Sequence, residues 1–329
     1  MAPYRDRTAT PYRSVAESPS MSLSDRNVLV TGGAGFIGSH LTERLLADGA
    51  SVTVVDNLSN GDRGRVPDDA GFLEADLTEP DALEGHLDDV DLVFHLAASK
   101  HVDTDRPHGQ FDDNTRMTRN ILEAMADAGI TEIAYTSSST VYGEAPRPTP
   151  EDYAPLEPIS AYGASKLADE GLLSARAHSH DLSVWNFRFA NVVGPRLRGA
   201  VIPDFIEKLR DDPETLTILG DGRQEKSYLY IEDCLDAMCH VVENADGAMN
   251  TYNLGTRTTT SVDRIAAIVA DELDLEPAFE YTGGDRGWTG DVPKMRLSIE
   301  KLAALGWEPR RSSDEAVRQA TRKIIEELR

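Results

Sequence analysis

The stretch TGGAGFIG at residues 31–38 decides the fold class of this chain. It follows a short apolar run at residues 27–31, which predicts a buried strand, and it opens a predicted helix at residues 36–48. Gly32, Gly35 and Gly38 let the backbone turn tightly and approach a pyrophosphate at the helix N-terminus, where N–H groups and the helix dipole favour an anion. Their spacing is one residue wider than the usual dinucleotide fingerprint, but the strand, turn and helix around them predict a dinucleotide-binding unit.

Strand-like and helical runs alternate outward from this motif. Further strands are predicted at residues 51–56, 91–97, 132–137 and 182–187. This alternation favours a doubly wound, Rossmann-like α/β fold with a parallel sheet covered by helices on both faces. Prolines loosen the pattern after residue 194, so we expect a smaller C-terminal α/β region that covers the substrate in a cleft.

The expected domain boundaries follow from these patterns. Residues 1–24 lack the apolar stretch of a secretory signal and are expected to form a disordered tail, with Met21 as an alternative translation start. We expect residues 25–190 to form the dinucleotide-binding domain, together with returning segments near residues 229–260. The substrate-binding region is expected at residues 191–228 and 261–329.

The chain is strongly acidic, with 57 acidic and 33 basic residues, a net charge of −24 and a pI near 4.6. Phosphate binding by nucleic-acid partners needs a positive surface, so no such partner is expected. Only seven of the basic residues are lysine, and the composition resembles that of proteins from salt-loving microbes, where salt screens self-repulsion. The alternative is an acidic mesophilic protein. No apolar run reaches the roughly 18 residues of a membrane helix, so no membrane partner is expected.

The two cysteines, Cys234 and Cys239, lie five residues apart in a predicted helix and point in different directions. Neither Cys-x-x-Cys spacing nor nearby histidines support a metal site, so no metal is expected. Buried reduced thiols are the simplest interpretation, and they fit a cytoplasmic protein.

Asp56 ends the second predicted strand, 18 residues after Gly38. A carboxylate there can accept from both ribose hydroxyls of an adenosine and would repel a 2′-phosphate, so the sequence favours NAD over NADP. The alternative is a turn aspartate before Asn57. Asp76 and Leu77 follow the next predicted strand and fit an adenine contact, against the alternative of an exposed loop.

Tyr162 and Lys166, in YGASK at residues 162–166, lie on one face of a predicted helix. A tyrosine with its usual pKa of about 10 is a poor base at neutral pH, but an ammonium and a positive nicotinamide ring favour the phenolate and lower that pKa. Ser138, in TSSSTVYG at residues 136–143, is placed to hydrogen-bond the reacting oxygen at a strand's C-terminal end, where open α/β sheets bind ligands. The alternatives are a surface Tyr–Lys pair and a serine-rich loop.

In the order and spacing of these motifs, residues 26–310 resemble the extended short-chain dehydrogenase/reductase family. The likeness is to its NAD-dependent nucleotide-sugar epimerases and dehydratases, and above all to UDP-glucose 4-epimerases. The motifs that carry the resemblance are TGGAGFIG (31–38), DNLSNG (56–61), HLAASK (95–100), SSSTVYG (137–143), YGASK (162–166), RFANVVGPR (188–196) and GDGRQEKSYLY (220–230).

The resemblance implies a role for individual residues. Besides the three glycines, the residues that would contact NAD are Phe36, Ile37, Asp56, Asn57, Asp76, Leu77, Ala97, Lys100, Asn114, Tyr162 and Lys166. The catalytic residues would be Ser138, Tyr162 and Lys166. The nucleotide sugar would be bound by Ser138, Asn191, Val201, Lys226, Tyr228 and Arg286. A homodimer formed by helices near residues 112–128 and 161–178 is also implied.

Three departures from the family pattern concern the substrate. Lys226 and Ser227 stand where the family usually has Arg-Asp, and lysine cannot hold a phosphate bidentately. Arg286 is displaced from the usual position of a later diphosphate-binding arginine. Met295 stands where relatives often carry a bulky tyrosine near the sugar. The preferred nucleotide and sugar therefore stay open.

The activity implied by the resemblance is reversible inversion at C4 of a UDP-hexose through a 4-keto sugar, with bound NAD. Dehydratases of this family carry Asp-Glu in place of Ser139-Thr140, and the decarboxylases also carry Glu in place of Thr140. Because that Glu removes the C5 proton, its replacement by Thr140 favours the epimerase. The alternatives are a sister enzyme (4,6-dehydratase, UDP-glucuronate decarboxylase or 4-reductase) and a non-catalytic NAD-binding regulator. A weak likeness of residues 101–103 to a dehydratase segment favours the sister enzyme.

Overall fold

A computed structural model describes residues 22–100, 106, 108–287 and 292–328 of the chain. Its strands are β1 (Asn27–Thr31), β2 (Ser51–Asp56), β3 (Gly71–Glu74), β4 (Leu92–His95), β5 (Glu132–Ser138), β6 (Ser183–Phe189), β7 (Asn191–Val193), β8 (Thr215–Ile218), β9 (Glu225–Lys226), β10 (Tyr228–Tyr230), β11 (Met249–Leu254), β12 (Thr260–Ser261), β13 (Ala278–Tyr281) and β14 (Lys294–Met295). Its α-helices are α1 (Phe36–Ala47), α2 (Gly109–Ala128), α3 (Ala161–Ser179), α4 (Val201–Asp211), α5 (Ile231–Asn244), α6 (Val262–Glu272), α7 (Glu300–Ala304) and α8 (Ser313–Glu327).

Seven parallel strands form the central sheet, in the order β11-β6-β5-β4-β1-β2-β3. The expected doubly wound, Rossmann-like fold is thereby confirmed. From β1 the chain moves outward through β2 to β3, and it then returns to β4 on the other side of β1. Ligands of such sheets bind at the carboxyl ends of the strands where the strand order reverses, which here is between β1 and β4.

Apolar side chains of β1 explain why helices cover both faces of this sheet. Val28 and Val30 belong to one hydrophobic cluster and Leu29 to a second one, because alternate side chains of a strand point to opposite faces. The first cluster includes residues of α1 and α5, and the second includes residues of α2 and α3. The helix that follows the glycine motif and the helix that carries YGASK therefore lie on opposite faces.

Among the described residues, three small sheets lie outside the central one. They pair β7 with β10, β9 with β12 and β14, and β8 with β13. In this part of the chain α4, α6 and α8 pack against one another. These segments lie within residues 191–230 and 260–327 and overlap the predicted substrate-binding region at residues 191–228 and 261–329.

The ordered core begins earlier than the sequence predicts. Leu23 is 1% exposed within the main hydrophobic cluster, and its backbone N–H donates to Oε1 of Glu243 at 3.4 Å. Burial of an apolar side chain stabilises the fold, so the predicted boundary of the tail at residue 24 is wrong for residues 22–24. Residues 1–21 lie outside the described part of the chain. Cys234 and Cys239 are buried free thiols on α5, as expected.

In the described part of the chain, no helix has both the length and the apolar character needed to span a membrane.

Candidate active site

The glycine motif forms a close-packed turn between β1 and α1. Gly32 has a φ of +70°, and a Cβ atom on it would lie 2.8 Å from the backbone nitrogen of Ala97. A Cβ atom on Gly38 would overlap the carbonyl oxygen of Gly32. Among the described residues no side chain caps the N-terminus of α1, so its first N–H groups point toward the turn without a side-chain acceptor. This geometry fits the pyrophosphate of a dinucleotide.

Asp56 is anchored where it can meet the adenosine end of such a ligand. Its Oδ2 accepts from the backbone N–H of Ala34 at 3.0 Å, and its Oδ1 accepts from that of Leu58 at 2.8 Å. The side chain is held against the glycine turn by these two bonds and is only 9% exposed. Each carboxylate oxygen has a second lone pair, so both can still accept from ribose hydroxyls.

The adenine-side candidates lie in the turn after β3. Asp76 is exposed, and its Oδ1 accepts from the backbone N–H and the hydroxyl of Thr78. Burial raises the pKa of Asp76, but hydrogen bonds from Thr78 and Asn57 outweigh it and lower the pKa overall. Leu77 is buried, and its carbonyl oxygen accepts from Nδ2 of Asn120 on α2 at 2.9 Å. The structure thus places Asn57, Asp76 and Leu77 together beside the strand that ends in Asp56.

Asn114 joins three segments beside this site. Its Oδ1 accepts from the N–H of Ser99 at 2.7 Å, and its Nδ2 donates to the carbonyl of Ser99 and to Oγ of Ser165. Because Asn114 is 2% exposed and its amide is bonded, it positions the loop after β4 against α2 and α3. Its predicted contact with the cofactor stays a prediction.

Tyr162 and Lys166 lie on α3 as predicted from their spacing. Lys166 is 1% exposed, and its Nζ lies 5.8 Å from the centroid of the Tyr162 ring. Burial lowers the pKa of Lys166 to about 8, while the charge of Asp169 opposes this and the charge of Lys100 adds to it. A lysine with this pKa still carries most of its positive charge at neutral pH.

The pKa of Tyr162 departs from the sequence-based expectation. Burial raises it above its ordinary value, and the charge of Asp169 raises it further. The protein's own groups therefore do not lower this pKa, and the expected lowering depends on the positive nicotinamide ring. The expectation was wrong for the protein alone because it counted Lys166 and not the desolvation of the phenol.

Ser138 and Thr140 lie where β5 ends. Oγ of Ser138 accepts from the backbone N–H of Thr140 at 3.2 Å and caps the 3₁₀ turn Ser139–Tyr142. Oγ1 of Thr140 is buried and has no hydrogen-bond partner among the described residues. A Cβ atom on Gly163, the residue after Tyr162, would lie 2.9 Å from the Thr140 carbonyl oxygen, so α3 approaches this turn closely.

A buried polar network supports this end of the sheet. Glu170 on α3 forms an ion pair with Arg188 on β6, with Nε–Oε1 and Nη2–Oε2 distances of 3.0 and 2.7 Å. The Ser137 hydroxyl donates to the same carboxylate at 2.5 Å. Nη1 of Arg188 donates to the hydroxyl of Tyr142, which in turn donates to Oδ1 of Asn253. The helix that carries Tyr162 and Lys166 is therefore tied to β5, β6 and β11.

The predicted sugar-site residues lie on neighbouring segments. Asn191 and Tyr228 are direct partners across β7 and β10, and Val201 begins α4. Lys226 pairs in β9 with Met295 of β14. Tyr228 is 4% exposed and packs in the main core, so its predicted contact with the sugar stays a prediction.

Arg286 contacts Glu144, which follows the SSSTVYG segment. This contact brings the loop after β13 to the segment that follows the 3₁₀ turn Ser139–Tyr142. Residues 288–291 lie outside the described part of the chain, as do residues 101–103.

The sequence analysis missed several residues of this site. They are Tyr135, Asp169, Glu170, Arg188 and His95, and all of them are buried. A signal was present for Glu170, because Tyr162, Lys166 and Glu170 recur every four residues and share one helix face. No local pattern pointed to Arg188 as its partner, because Glu170 on α3 and Arg188 on β6 are brought together only when α3 packs against the sheet.

The fold and the site define an α/β enzyme that binds a dinucleotide and carries a Tyr-x-x-x-Lys pair beside a serine. Residues 28–255 match the model of the NAD dependent epimerase/dehydratase family. The chain therefore belongs to this family of enzymes, and its cofactor is NAD.

Individual relatives include more than one activity. The chain is 34% identical over 299 residues to a UDP-glucose 4-epimerase of Mycolicibacterium smegmatis, covering 85% of this chain and 93% of the relative. It is 30% identical over 318 residues to UDP-glucuronic acid decarboxylase 4 of Arabidopsis thaliana, covering 92% and 68%. A crystal structure of a UDP-galactose 4-epimerase has a TM-score of 0.84 and 40% identity, covering 92% of this chain and all of the other.

Proposed function

We propose that the chain catalyses reversible epimerisation at C4 of a nucleotide sugar of the UDP-glucose/UDP-galactose type, through a 4-keto intermediate. Two of the similar proteins described above are named as 4-epimerases of such sugars. The intact set of Ser138, Tyr162 and Lys166 argues against a non-catalytic NAD-binding regulator, because function is carried by sites and not by folds.

In this proposal each catalytic residue has a defined role. Tyr162 accepts the proton of the sugar 4-hydroxyl and later returns it, and Ser138 orients that hydroxyl from the end of β5. Lys166 stabilises the phenolate through its charge and also binds the ribose of the cofactor. NAD supplies reversible oxidation and reduction at the sugar carbon. Asp56 favours NAD over NADP because a carboxylate repels a 2′-phosphate.

The observation that carries the proposal is the hydroxyl at Thr140. By resemblance, the sister dehydratases and decarboxylases need a carboxylate at this place to remove a proton from C5. Oγ1 of Thr140 is buried beside Ser138 and has too high a pKa to act as that base. Of the two acids close in sequence or packing to this turn, Glu170 is bound to Arg188, and Glu144 lies beyond the 3₁₀ turn Ser139–Tyr142. Without a base that removes the C5 proton, the 4-keto intermediate reacts most readily by reduction of its keto group.

The proposed substrate contacts come from the smaller region and from the loop after β13. Asn191, Val201 and Lys226 begin or end segments of the smaller region, and Lys226 can neutralise one phosphate charge of the diphosphate. Arg286 would have to exchange Glu144 for a phosphate. A favourable exchange is expected because an arginine binds a diphosphate oxygen pair as a fork.

We also propose that the enzyme is a homodimer formed by α2 and α3. The two helices pack against each other on one face of the central sheet, and each has exposed residues along the side that faces away from it. Two such pairs in contact would give a four-helix interface with two-fold symmetry. Light scattering of the purified chain tests this proposal, and a monomer at micromolar concentration would contradict it.

The activity can be tested with the full chain, NAD and separate nucleotide sugars in a buffer of high salt. The panel is UDP-glucose, UDP-galactose, their N-acetylated forms and UDP-glucuronate, and proton NMR follows the sugar signals. We expect one gluco/galacto pair to interconvert without net formation of NADH. The control is Tyr162→Phe, which should abolish most of the conversion. Accumulation of a 4-keto-6-deoxy sugar, or release of CO₂ from UDP-glucuronate, would contradict the proposal and support a sister enzyme.

A further inference from the structure

A buried carboxylate, that of Asp169, lies behind the Tyr162–Lys166 pair on the same helix. Asp169 is 1% exposed, and its Oδ2 accepts a hydrogen bond of 2.7 Å from the hydroxyl of Tyr135. Its Oδ1 has no hydrogen-bond partner among the described residues. Nζ of Lys166 lies 4.6 Å from the centroid of the same Tyr135 ring. The ammonium, the phenol ring and the carboxylate thus form one buried cluster.

The Oδ1 atom of Asp169, which has no hydrogen-bond partner among the described residues, carries an energetic cost. A buried carboxylate that lacks a full set of hydrogen bonds costs free energy unless a positive charge balances it. In the described part of the chain Asp169 has no ion pair within 4.0 Å, and Lys166 is the cation that stabilises its charge most. Glu170, the next residue, does not need this cation because Arg188 binds it directly.

We propose that Asp169 is a positioning residue of the reaction. Its carboxylate, anchored by the Tyr135 hydroxyl, supplies the counter-charge of Lys166 and thereby sets the pH range in which Tyr162 exchanges its proton. This inference rests on the proposed function, in which Tyr162 and Lys166 are the catalytic pair. It adds a third charge to that pair, one that does not contact the substrate.

The other groups that face this cluster do not replace Asp169. On β4, His95 is buried and neutral, since burial and the charge of Lys166 lower its pKa to about 3. In the loop after β4, the positive charge of Lys100 repels that of Lys166 and lowers the pKa of Lys166. On α3, Glu170 is neutralised by Arg188 of β6. Asp169 is therefore the one acid facing Lys166, among the residues that the structure describes, without a direct cationic partner.

The sign of the effect follows from the charges. Burial raises the pKa of Asp169 to about 6, although Lys166 and the hydroxyls of Tyr135 and Thr118 lower it, so the carboxylate is ionised above that pH. When ionised, it raises the pKa of Tyr162 and that of Lys166. Removing its charge should lower both values. The limb of the pH–rate profile that reports the Tyr162 phenolate and the limb that reports the Lys166 ammonium should both move to lower pH.

The test compares the pH profile of kcat for Asp169→Asn with that of the wild type, with NAD bound and UDP-galactose as substrate. Asparagine keeps the shape and can still accept from Tyr135, so a purely structural role would leave both limbs in place. We expect both limbs to move to lower pH by about one unit, the effect of one nearby buried charge. Limbs within about 0.2 unit of the wild type would overturn the proposal.

A matched control removes a different buried carboxylate. Asp233 on α5 is 0% exposed and bound to Arg311 at 2.7 Å, so Asp233→Asn also deletes one buried negative charge. Its profile should keep the wild-type limbs. An equal shift in this control would overturn the proposal, because the effect would then not be specific to Asp169.

Two further measurements keep the proposal testable. If Asp169→Asn does not fold, Tyr135→Phe takes its place. This variant removes the hydroxyl that donates to Asp169. Both limbs of its pH profile should move to lower pH by less than in Asp169→Asn, and an unmoved profile would overturn the proposal.

If the wild type converts none of the sugars, the proposed function fails, and the inference is decided by the ultraviolet absorbance of tyrosinate. The Tyr162 titration, defined by its loss in Tyr162→Phe, should shift to lower pH in Asp169→Asn, and an unchanged titration would overturn the proposal.

Discussion

Replacing Glu170 with glutamine should strongly destabilise the fold. Glu170 and Arg188 are both 7% exposed, and the guanidinium holds the carboxylate through two bonds of 2.7 and 3.0 Å. Glutamine has nearly the same shape but no charge, so Arg188 would stay buried with an uncompensated positive charge. Breaking one partner of a buried ion pair costs about 3–5 kcal/mol.

The structure places the expected cost at the lower end of this range. The amide oxygen of glutamine can still accept one bond from Arg188, and the guanidinium keeps its bonds to Tyr142 and to the carbonyl of Glu151. We therefore expect a loss of about 3 kcal/mol in the free energy of unfolding. For a chain of 329 residues, with an unfolding entropy of about 2.1 cal/mol/K per residue, that corresponds to a fall in Tm of roughly 4 °C.

Urea denaturation at constant salt measures this loss. Trp185 is 1% exposed in the main core and provides the fluorescence signal. The matched control is Glu326→Gln, which breaks the pair of Lys323 and Glu326 on the surface of α8, where the side chains are 49% and 56% exposed. Surface pairs of this kind contribute about 0–1 kcal/mol.

A loss below about 1 kcal/mol for Glu170→Gln, or one no larger than that of the control, would refute the reasoning. A second variant tests the cause. Replacing both Glu170 and Arg188 by apolar residues of similar volume removes the unpaired charge and should recover part of the lost stability. The recovery should be incomplete because Tyr142 and the Glu151 carbonyl lose their donor.

Three further outcomes are expected. Tyr162→Phe should lower turnover by roughly 10²–10⁴-fold while NAD stays bound, because general acid–base catalysis is lost; steady-state kinetics measure this, and turnover within about threefold of wild type would contradict it. Asp56→Ala should narrow the preference for NAD over NADP, measured by the two dissociation constants; an equal preference in the wild type would show that Asp56 does not select the cofactor. With a net charge of −24, the Tm should rise between about 0.1 M and about 2 M KCl, and a Tm that does not rise would count against adaptation to salt.

Local sequence patterns determined the fold class and the positions of the glycine turn and of the Tyr162–Lys166 pair. The strand, glycine turn and helix at residues 27–47 depend on the period of the apolar residues and on glycine geometry, both of which act between near neighbours. The same holds for Tyr162 and Lys166, whose spacing of four residues is enough to place them on one helix face. Such features could be predicted because their physical causes span only a few residues.

The tertiary structure decided the charges around that pair. Asp169 meets Tyr135 only because α3 packs against β5. Tyr142 meets Asn253 across 111 residues only because the strand order brings β5 beside β6 and β6 beside β11. The raised pKa of Tyr162 also depends on burial, which no local motif reports. Hydrogen bonds and desolvation between residues far apart in the chain depend on how whole helices and strands pack together. Local propensity predicts only the individual helices and strands.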